Sequence, residues 1–187
     1  MRVKRLLNTE EVSLEINIKK LFGKTVNDSA LQRSIAESLI GRILDRTSKG
    51  KGVDGNGYEV KLKGPYSTEY VDSLEFKAFD KSKNKINMKL TGSMLSSVDL
   101  ISATPEYIRI GIDNEDAPKA FNHMTGDTPN MPVRPFLGLT DDDLQSVRKE
   151  FEPAIKGKIS AADIFDASKF AKIANLFKGS GRFGFEQ

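Results

Sequence analysis

Apolar residues in the first quarter of the chain follow two different periods. Residues 11–19 alternate strictly between polar and apolar side chains, a period of two that is typical of a half-buried strand. Beyond Asn27, which suits an N-cap, apolar side chains recur every four residues, so we predict a long amphipathic helix. Its predicted buried face carries Leu31, Ile35, Leu39 and Ile43, and the charged residues Arg33, Glu37, Arg42 and Arg46 lie mostly elsewhere.

The middle of the chain predicts a β-hairpin. Residues 98–103 and 107–112 are candidate strands on either side of a turn at Thr104-Pro105, and the second of them alternates isoleucine with other residues. Ahead of the hairpin, the polar run 80–85 precedes an alternating set at Ile86, Met88 and Leu90.

A second helix is predicted from Thr140. Asp143 follows three residues later, as in a capping box. The apolar stripe that comes next consists of Leu144, Val147 and Phe151. Pro153 is expected to end or kink this helix, since proline lacks the N–H that a helix interior uses.

The order of these elements predicts the fold class. Strands and helices segregate along the chain without β-α-β alternation, which indicates an α+β fold with an antiparallel β-sheet packed against the long N-terminal helix and the second helix. With 187 residues, we expect one main domain at 1–156 and a helical C-terminal extension at 157–187.

The extension contains two short helical patterns, capped by Ser160 and Ser168, and a glycine-rich end that we expect to be flexible. One face of the second pattern carries Phe170, Ile173 and Phe177. Because so much apolar surface is costly to leave in water, we expect the extension to dock, preferably on an adjacent subunit or partner.

Residues 48–66 are dense in glycine and polar side chains, which predicts an exposed loop. This loop has four lysines and two tyrosines that could contact phosphates and stack on bases: Lys49, Lys51, Lys61, Lys63, Tyr58 and Tyr66. Glu59, Glu69 and Asp72 dilute the positive charge. We therefore favour a solvated loop used for contacts and keep a nucleic-acid platform as the alternative.

Composition narrows the remaining classes of protein. The chain has no cysteine, which excludes disulfides, thiolate zinc sites and cysteine nucleophiles. Its 29 basic and 26 acidic residues are interspersed, so the net charge of +3 indicates no particular partner. No apolar run approaches the roughly 20 residues of a membrane helix, and Glu10 and Glu11 interrupt the N-terminus before a signal-peptide core could form.

The candidate chemical sites are weak, and we expect neither a catalytic site nor a metal or cofactor. His123 is the only histidine and is interpreted as an exposed or packing side chain. The Asp54–Glu59 region lacks the later carboxylates of a calcium loop, so a plain turn is favoured. The three aspartates at 141–143 suit the first turn of a helix, where carboxylates interact favourably with free N–H groups.

The most informative stretch is Met131-Pro-Val-Arg-Pro-Phe-Leu-Gly-Leu-Thr140. Pro132 and Pro135 fix an extended backbone and hold Arg134 out as a ligand for a carboxylate or backbone group, while Phe136 and Leu137 anchor the segment to the core. This stretch resembles the PxRPFLGLs signature of the phage virion morphogenesis family, the tail-completion proteins of Mu-like phages.

Other stretches between residues 12 and 152 resemble that family in the same order. They are the long helix with Arg33 and Arg42; the loop with Asp54, Gly57, Tyr58, Leu62 and Tyr66; Leu90 to Leu95; Ile110-Gly111; and His123 with Gly126. Two positions depart from the family pattern, because the Asp-Gly loop has no Trp and Leu90 stands where an Arg commonly precedes Thr-Gly.

The resemblance implies a non-enzymatic structural protein of the virion, a neck or tail-completion component. Such a protein forms a homo-oligomeric ring, commonly a hexamer, around the DNA channel and contacts neighbouring head-tail connector and tail proteins. It implies a location in the virion, and in the host cytoplasm during assembly, without a membrane partner. The alternative class is a nucleic-acid-binding accessory protein, followed by a metal-dependent hydrolase.

Overall fold

The computed structural model describes residues 3–78, 83, 86, 88, 93–129 and 131–157. The secondary-structure elements in chain order are β1 (Lys4–Leu7), β2 (Val12–Asn17), α1 (Ile18–Phe22), α2 (Ser29–Ser48), β3 (Lys51–Val53), β4 (Glu59–Lys61), α3 (Thr68–Asp72), α4 (Leu74–Ala78), α5 (Ser93–Ser96), β5 (Asp99–Ala103), β6 (Tyr107–Ile112), α6 (Ala117–Thr125) and α7 (Asp141–Ile155). The helices predicted after Gly157, their docking and the C-terminal tail lie outside the described residues, as does Leu90.

The predicted α+β class is confirmed by a four-stranded antiparallel sheet in the order β1-β2-β6-β5. Its core comes from matched apolar positions, since Leu14 lies opposite Ile110 and Ile16 opposite Ile108, all fully buried. Helix α2 packs across β5 and β6, and α7 packs against α2 and α1. The sheet, α2 and α7 therefore contribute to one core, and α7 adds the buried residues Leu144, Val147 and Phe151 to it.

The predicted strand at 11–19 is shorter than its alternation suggests. It ends at Asn17, whose side chain caps α1 by accepting from the backbone N–H of Lys20 at 2.7 Å. The next residue, Ile18, is still buried, but it lies in a helix that ends at Gly23 with φ of 78°. An alternating pattern cannot distinguish a buried helix residue from one more strand position.

The long helix and the central hairpin are confirmed with small shifts. Asp28, rather than Asn27, caps α2 by accepting from the N–H groups of Ala30 and Leu31. In the β5–β6 hairpin the pairing register shifts between Leu100 and Ser102, which indicates a bulge.

The second helix begins with the predicted capping box. Thr140 Oγ1 accepts from the N–H of Asp143 at 3.1 Å, and the Asp143 carboxylate accepts from the N–H of Thr140 at 2.9 Å. Pro153 does not end the helix, which continues to Ile155. Of the two expected effects of Pro153, ending the helix is therefore wrong, and a kink stays a prediction.

Helices α2 and α7 run antiparallel, and polar contacts fix their alignment. Arg46, near the end of α2, lies 2.5 Å from Asp143 at the start of α7 and also donates to the carbonyl of Gly138. Farther along, Ser38 donates to Glu150 at 2.9 Å. Arg46 is 6% exposed, so the prediction that places it away from the buried face was wrong.

Residues 48–66 form a packed hairpin rather than a plain exposed loop. β3 and β4 pair around a turn in which the Asp54 side chain accepts from two backbone N–H groups, as expected of a plain turn. Gly52, Val53 and Leu62 are buried. The Val53 N–H donates to the carbonyl of Pro135 at 2.8 Å, which joins the hairpin to the segment around Pro135.

We predict that Gly52→Ala lowers the free energy of unfolding by about 1–3 kcal/mol, the usual cost of overpacking. A Cβ at this position would lie 2.2 Å from the Pro135 carbonyl oxygen and 2.8 Å from Leu62, so the hairpin would have to move. Urea unfolding of the purified variant measures the change.

The matched control is Gly55→Ala in the turn of the same hairpin, where an added Cβ meets nothing within 4 Å. We expect a change of less than about 1 kcal/mol there. Equal unfolding midpoints for the two variants would contradict the close packing of β3 on Pro135.

Candidate functional site: a cleft around Arg134

Residues 134–139 belong to no helix or strand, yet all of them except the partly buried Pro135 are buried. Phe136 and Leu137 are fully buried, which confirms that they anchor the segment to the core. The Arg134 N–H donates to the His123 carbonyl at 2.7 Å, and the Phe136 N–H donates back to the Arg134 carbonyl at 2.8 Å around Pro135. The segment is thus held between α6 and the β3–β4 hairpin.

The Arg134 side chain is fixed by neutral groups. It is 4% exposed, and its Nε donates to the carbonyl of Lys63 at 2.9 Å and its Nη2 to the carbonyl of Pro65 at 3.3 Å. The guanidinium carbon lies 5.2 Å from the centre of the Tyr66 ring, a cation–π distance. Arg134 Nη1 is 3.4 Å from Nδ1 of His123.

The structure therefore corrects half of the expectation for Arg134. Backbone carbonyls are its partners, as one alternative had it, and no carboxylate of the described chain lies within ion-pair distance. Burial lowers the pKa of the Arg134 guanidinium, and the nearby Tyr66 and Tyr70 act in the opposite direction. Arginine stays protonated in proteins, so Arg134 carries a buried positive charge whose partners among the described residues are backbone dipoles, a histidine and a ring.

Three aromatic rings form a cluster beside Arg134. Tyr66, Tyr70 and Phe76 meet edge to face with centroids 5.2–5.7 Å apart. Such pairs stabilise by about 0.5–1.5 kcal/mol beyond the area they bury. Through Tyr66, which contacts the guanidinium, this cluster connects Arg134 with Tyr70 of α3 and Phe76 of α4.

A cleft of about 630 Å³ opens next to this arginine. Its lining combines Arg134, His123 and Pro132 with the aromatic pair Tyr66 and Tyr70. Lys119 from α6 and Glu69 from α3 add exposed charges of opposite sign. The other described lining residues are Pro65, Ser67, Thr68, Met88, Ser93, Met94, Thr128, Pro129 and Met131. Residues of the stretch 131–140 and the single histidine therefore lie on one concave surface.

The four predicted contact lysines do not form one free basic patch. Lys49 pairs with Asp45 and Lys51 with Glu59, each at 2.6 Å. Lys61 and Lys63 are exposed, and no acidic group of the described residues pairs with them. Their proposed contacts with other molecules remain predictions.

The aspartates at 141–143 occupy the first turn of α7, as expected, and Asp143 serves the capping box and Arg46. Within the part of the chain that the structure describes, no group of three or more His, Asp or Glu side chains could hold a metal ion. The same residues include no helix long and apolar enough to cross a membrane.

Sequence reasoning missed two arginines that support the site, the buried Arg46 and the partly buried Arg5. Arg46 follows the buried Ile43 by three residues, so helical spacing could have assigned it to the buried face. Arg5 donates to the carbonyls of Val53 and Asp54, both at 2.6 Å, and burial lowers the pKa of its guanidinium. Nothing in the local sequence of β1 indicates this contact, because its partners are 48 and 49 residues away.

Compared with known proteins, the chain matches no protein-family model, no curated protein and no solved structure.

We predict that Arg134→Ala lowers the free energy of unfolding by on the order of 3 kcal/mol, because it removes the donors from two carbonyls and leaves a cavity beside Tyr66. Arg134→Lys should recover only part, since one ammonium cannot reproduce the guanidinium fork. Chemical denaturation of both variants measures the difference.

Val133→Ala is the neighbouring control, because Val133 is 42% exposed. We expect it to unfold close to the wild type. An alanine variant of Arg134 as stable as Val133→Ala would show that the buried guanidinium contributes no net stability.

Proposed function

We propose that this protein is a structural virion protein of a tailed bacteriophage, a ring-forming neck or tail-completion component that joins head and tail around the DNA channel. The observation that carries the proposal is the stretch 131–140, which resembles the signature of the virion morphogenesis family. Residues of this stretch stabilise the fold, because Phe136 and Leu137 lie in the core and Thr140 caps α7.

A structural role accounts for the contacts around this stretch. Arg134 is tied to two backbone carbonyls and a ring, and Gly138 accepts from the buried Arg46. These contacts join α2, α6, the β3–β4 hairpin and the start of α7 into one body. A rigid protomer is what a closed ring requires, because a heterologous contact closes only if each copy repeats the same rotation.

The proposed partners are further copies of the chain, in a ring of six, and the head-tail connector and tail proteins above and below that ring. Channel DNA is a further contact without sequence preference. The proposed location is the neck of the virion, and the host cytoplasm while particles assemble. No catalytic step is assigned to the protein.

We expect negative-stain microscopy of the purified protein at high concentration to show rings, and particles assembled without the protein to remain as separate heads and tails. The physical reason is that a neck component supplies the contact between two preformed structures. Strictly monomeric behaviour, together with normal joining in its absence, would refute the proposal.

A nucleic-acid-binding accessory protein is the second candidate, and Lys61 and Lys63 favour it. Both are exposed near the end of the β3–β4 hairpin, and neither has an acidic partner in the described chain. If they contact phosphates, Lys61→Glu with Lys63→Glu should weaken a DNA mobility shift and reduce its salt dependence.

The matched control is Lys49→Gln with Lys51→Gln, because these lysines already pair with Asp45 and Glu59. We expect this control to change DNA binding less. If the wild-type protein does not shift DNA even at low salt, the second candidate function is excluded.

A further inference from the structure

Arg134 is a cation that lines a cleft and has donors to spare. A guanidinium has five N–H groups, and contacts with Lys63, Pro65 and His123 occupy at most three of them. Its partners within the described residues are neutral groups. Because a buried charge without a counter-charge is costly, a carboxylate entering the cleft would find both geometry and charge suited to it.

Lys119 adds a second positive charge to the same cleft. It is exposed on α6, and no acidic group of the described chain lies within ion-pair distance of it. Tyr66 and Tyr70 line the same cleft, and their two rings, which contact each other, form an aromatic wall there. Glu69 is the one carboxylate among the described lining residues and is exposed, so the described lining has an excess of positive charge. The matching ligand is a peptide with two carboxylates around an aromatic ring.

The chain carries such a sequence itself, at Asp163-Ile-Phe-Asp166. Its position argues against its return to the cleft of the same copy. The described chain ends at the far side of the fold, where Lys24 donates to the carbonyl of Ile155 and Val26 donates to that of Pro105. The cleft lies toward the other end of α2, because Arg134 donates to the carbonyl of Lys63 and the adjacent Leu62 donates to the carbonyl of Gly50, just after α2.

Chain lengths favour a neighbouring copy. Helix α2 has 20 residues and so spans about 30 Å. Asp163 lies six residues beyond Gly157, and six fully extended residues reach at most about 20 Å. A second copy placed head to tail brings its own cleft to the end where this segment leaves the fold, so the segment can reach the neighbour more easily than its own copy.

We propose that the cleft around Arg134 and Lys119 binds the segment Asp163–Asp166 of a second copy of this chain. One carboxylate pairs with the spare N–H groups of Arg134, the other pairs with Lys119, and Phe165 packs on the tyrosine wall. The contact joins two different surfaces, so it is heterologous and repeats from copy to copy. This inference deepens the proposed ring and rests on self-association.

The absence of cysteine in the chain allows disulfide trapping without a native background. One full-length copy carries Thr128→Cys in the cleft lining, and a second, differently tagged copy carries Ala167→Cys beside the acidic segment. Under mild oxidation we expect a covalent dimer of the two tagged chains. Lys149→Cys on the exposed side of α7 replaces Thr128→Cys in the control and should give little of this dimer.

Charge variants then test the chemistry of the contact. Neutralising the segment with Asp163→Asn and Asp166→Asn should reduce trapping about tenfold, which corresponds to the loss of about 1.4 kcal/mol. Lys119→Ala should reduce it as well without disturbing the buried core. Asp113→Asn, an exposed acid outside the cleft lining, should leave trapping unchanged.

Three results would overturn the inference. They are equal trapping by Thr128→Cys and Lys149→Cys, trapping that survives neutralisation of both aspartates, and a bond that forms only within one chain when both cysteines are on the same copy. If the neutralised variant still forms rings and trapping never occurs, the proposed function stands and this contact is wrong. If no variant or wild type associates, both are wrong.

Discussion

The buried segment from Arg134 to Gly138 must satisfy its backbone polar groups without the help of a helix or a sheet. Each solution recruits a different element: the Arg134 N–H uses the His123 carbonyl, the Pro135 carbonyl uses the Val53 N–H, and the Gly138 carbonyl uses Arg46. A buried polar group left without a partner costs about 1–3 kcal/mol, so these contacts are required for the segment to stay in the core. The arrangement of α6, the β3–β4 hairpin and the end of α2 depends on them.

That constraint explains several features that look unrelated in the sequence. Gly52 has no side chain because the Pro135 carbonyl passes 2.2 Å from where a Cβ would be. Arg5 reaches from β1 to the carbonyls of Val53 and Asp54 and so ties the hairpin to the edge of the main sheet. Glycine and arginine are therefore used here for close approach and for long-range hydrogen bonds.

The cleft is a by-product of the same packing. Arg134 holds the carbonyls of Lys63 and Pro65 in place, which positions Tyr66 beside it, and both Arg134 and His123 line the cleft. Among the described residues its partners are neutral, so no carboxylate of theirs balances its charge. Helix α7 ends beside the residues that precede α2, where Lys24 donates to the carbonyl of Ile155, and begins beside the end of α2, where Asp143 meets Arg46.

Local patterns in the sequence were sufficient for the elements whose determinants lie within a few residues of each other. The four-residue spacing predicted α2, the alternation predicted β2 and β6, and the Thr140–Asp143 pair predicted the cap of α7, because periodicity and capping are properties of one stretch of chain. Phe136 and Leu137 were also recognised as core residues. Only the tertiary structure decided that residues 48–66 pack as a hairpin, that Arg46 is buried, that Arg5 donates to the hairpin, and that Arg134 faces carbonyls and a ring. Each of these depends on partners about 50 to 100 residues away, as the separations of 48, 71 and 92 residues in their hydrogen bonds show, and no local pattern encodes such a pairing.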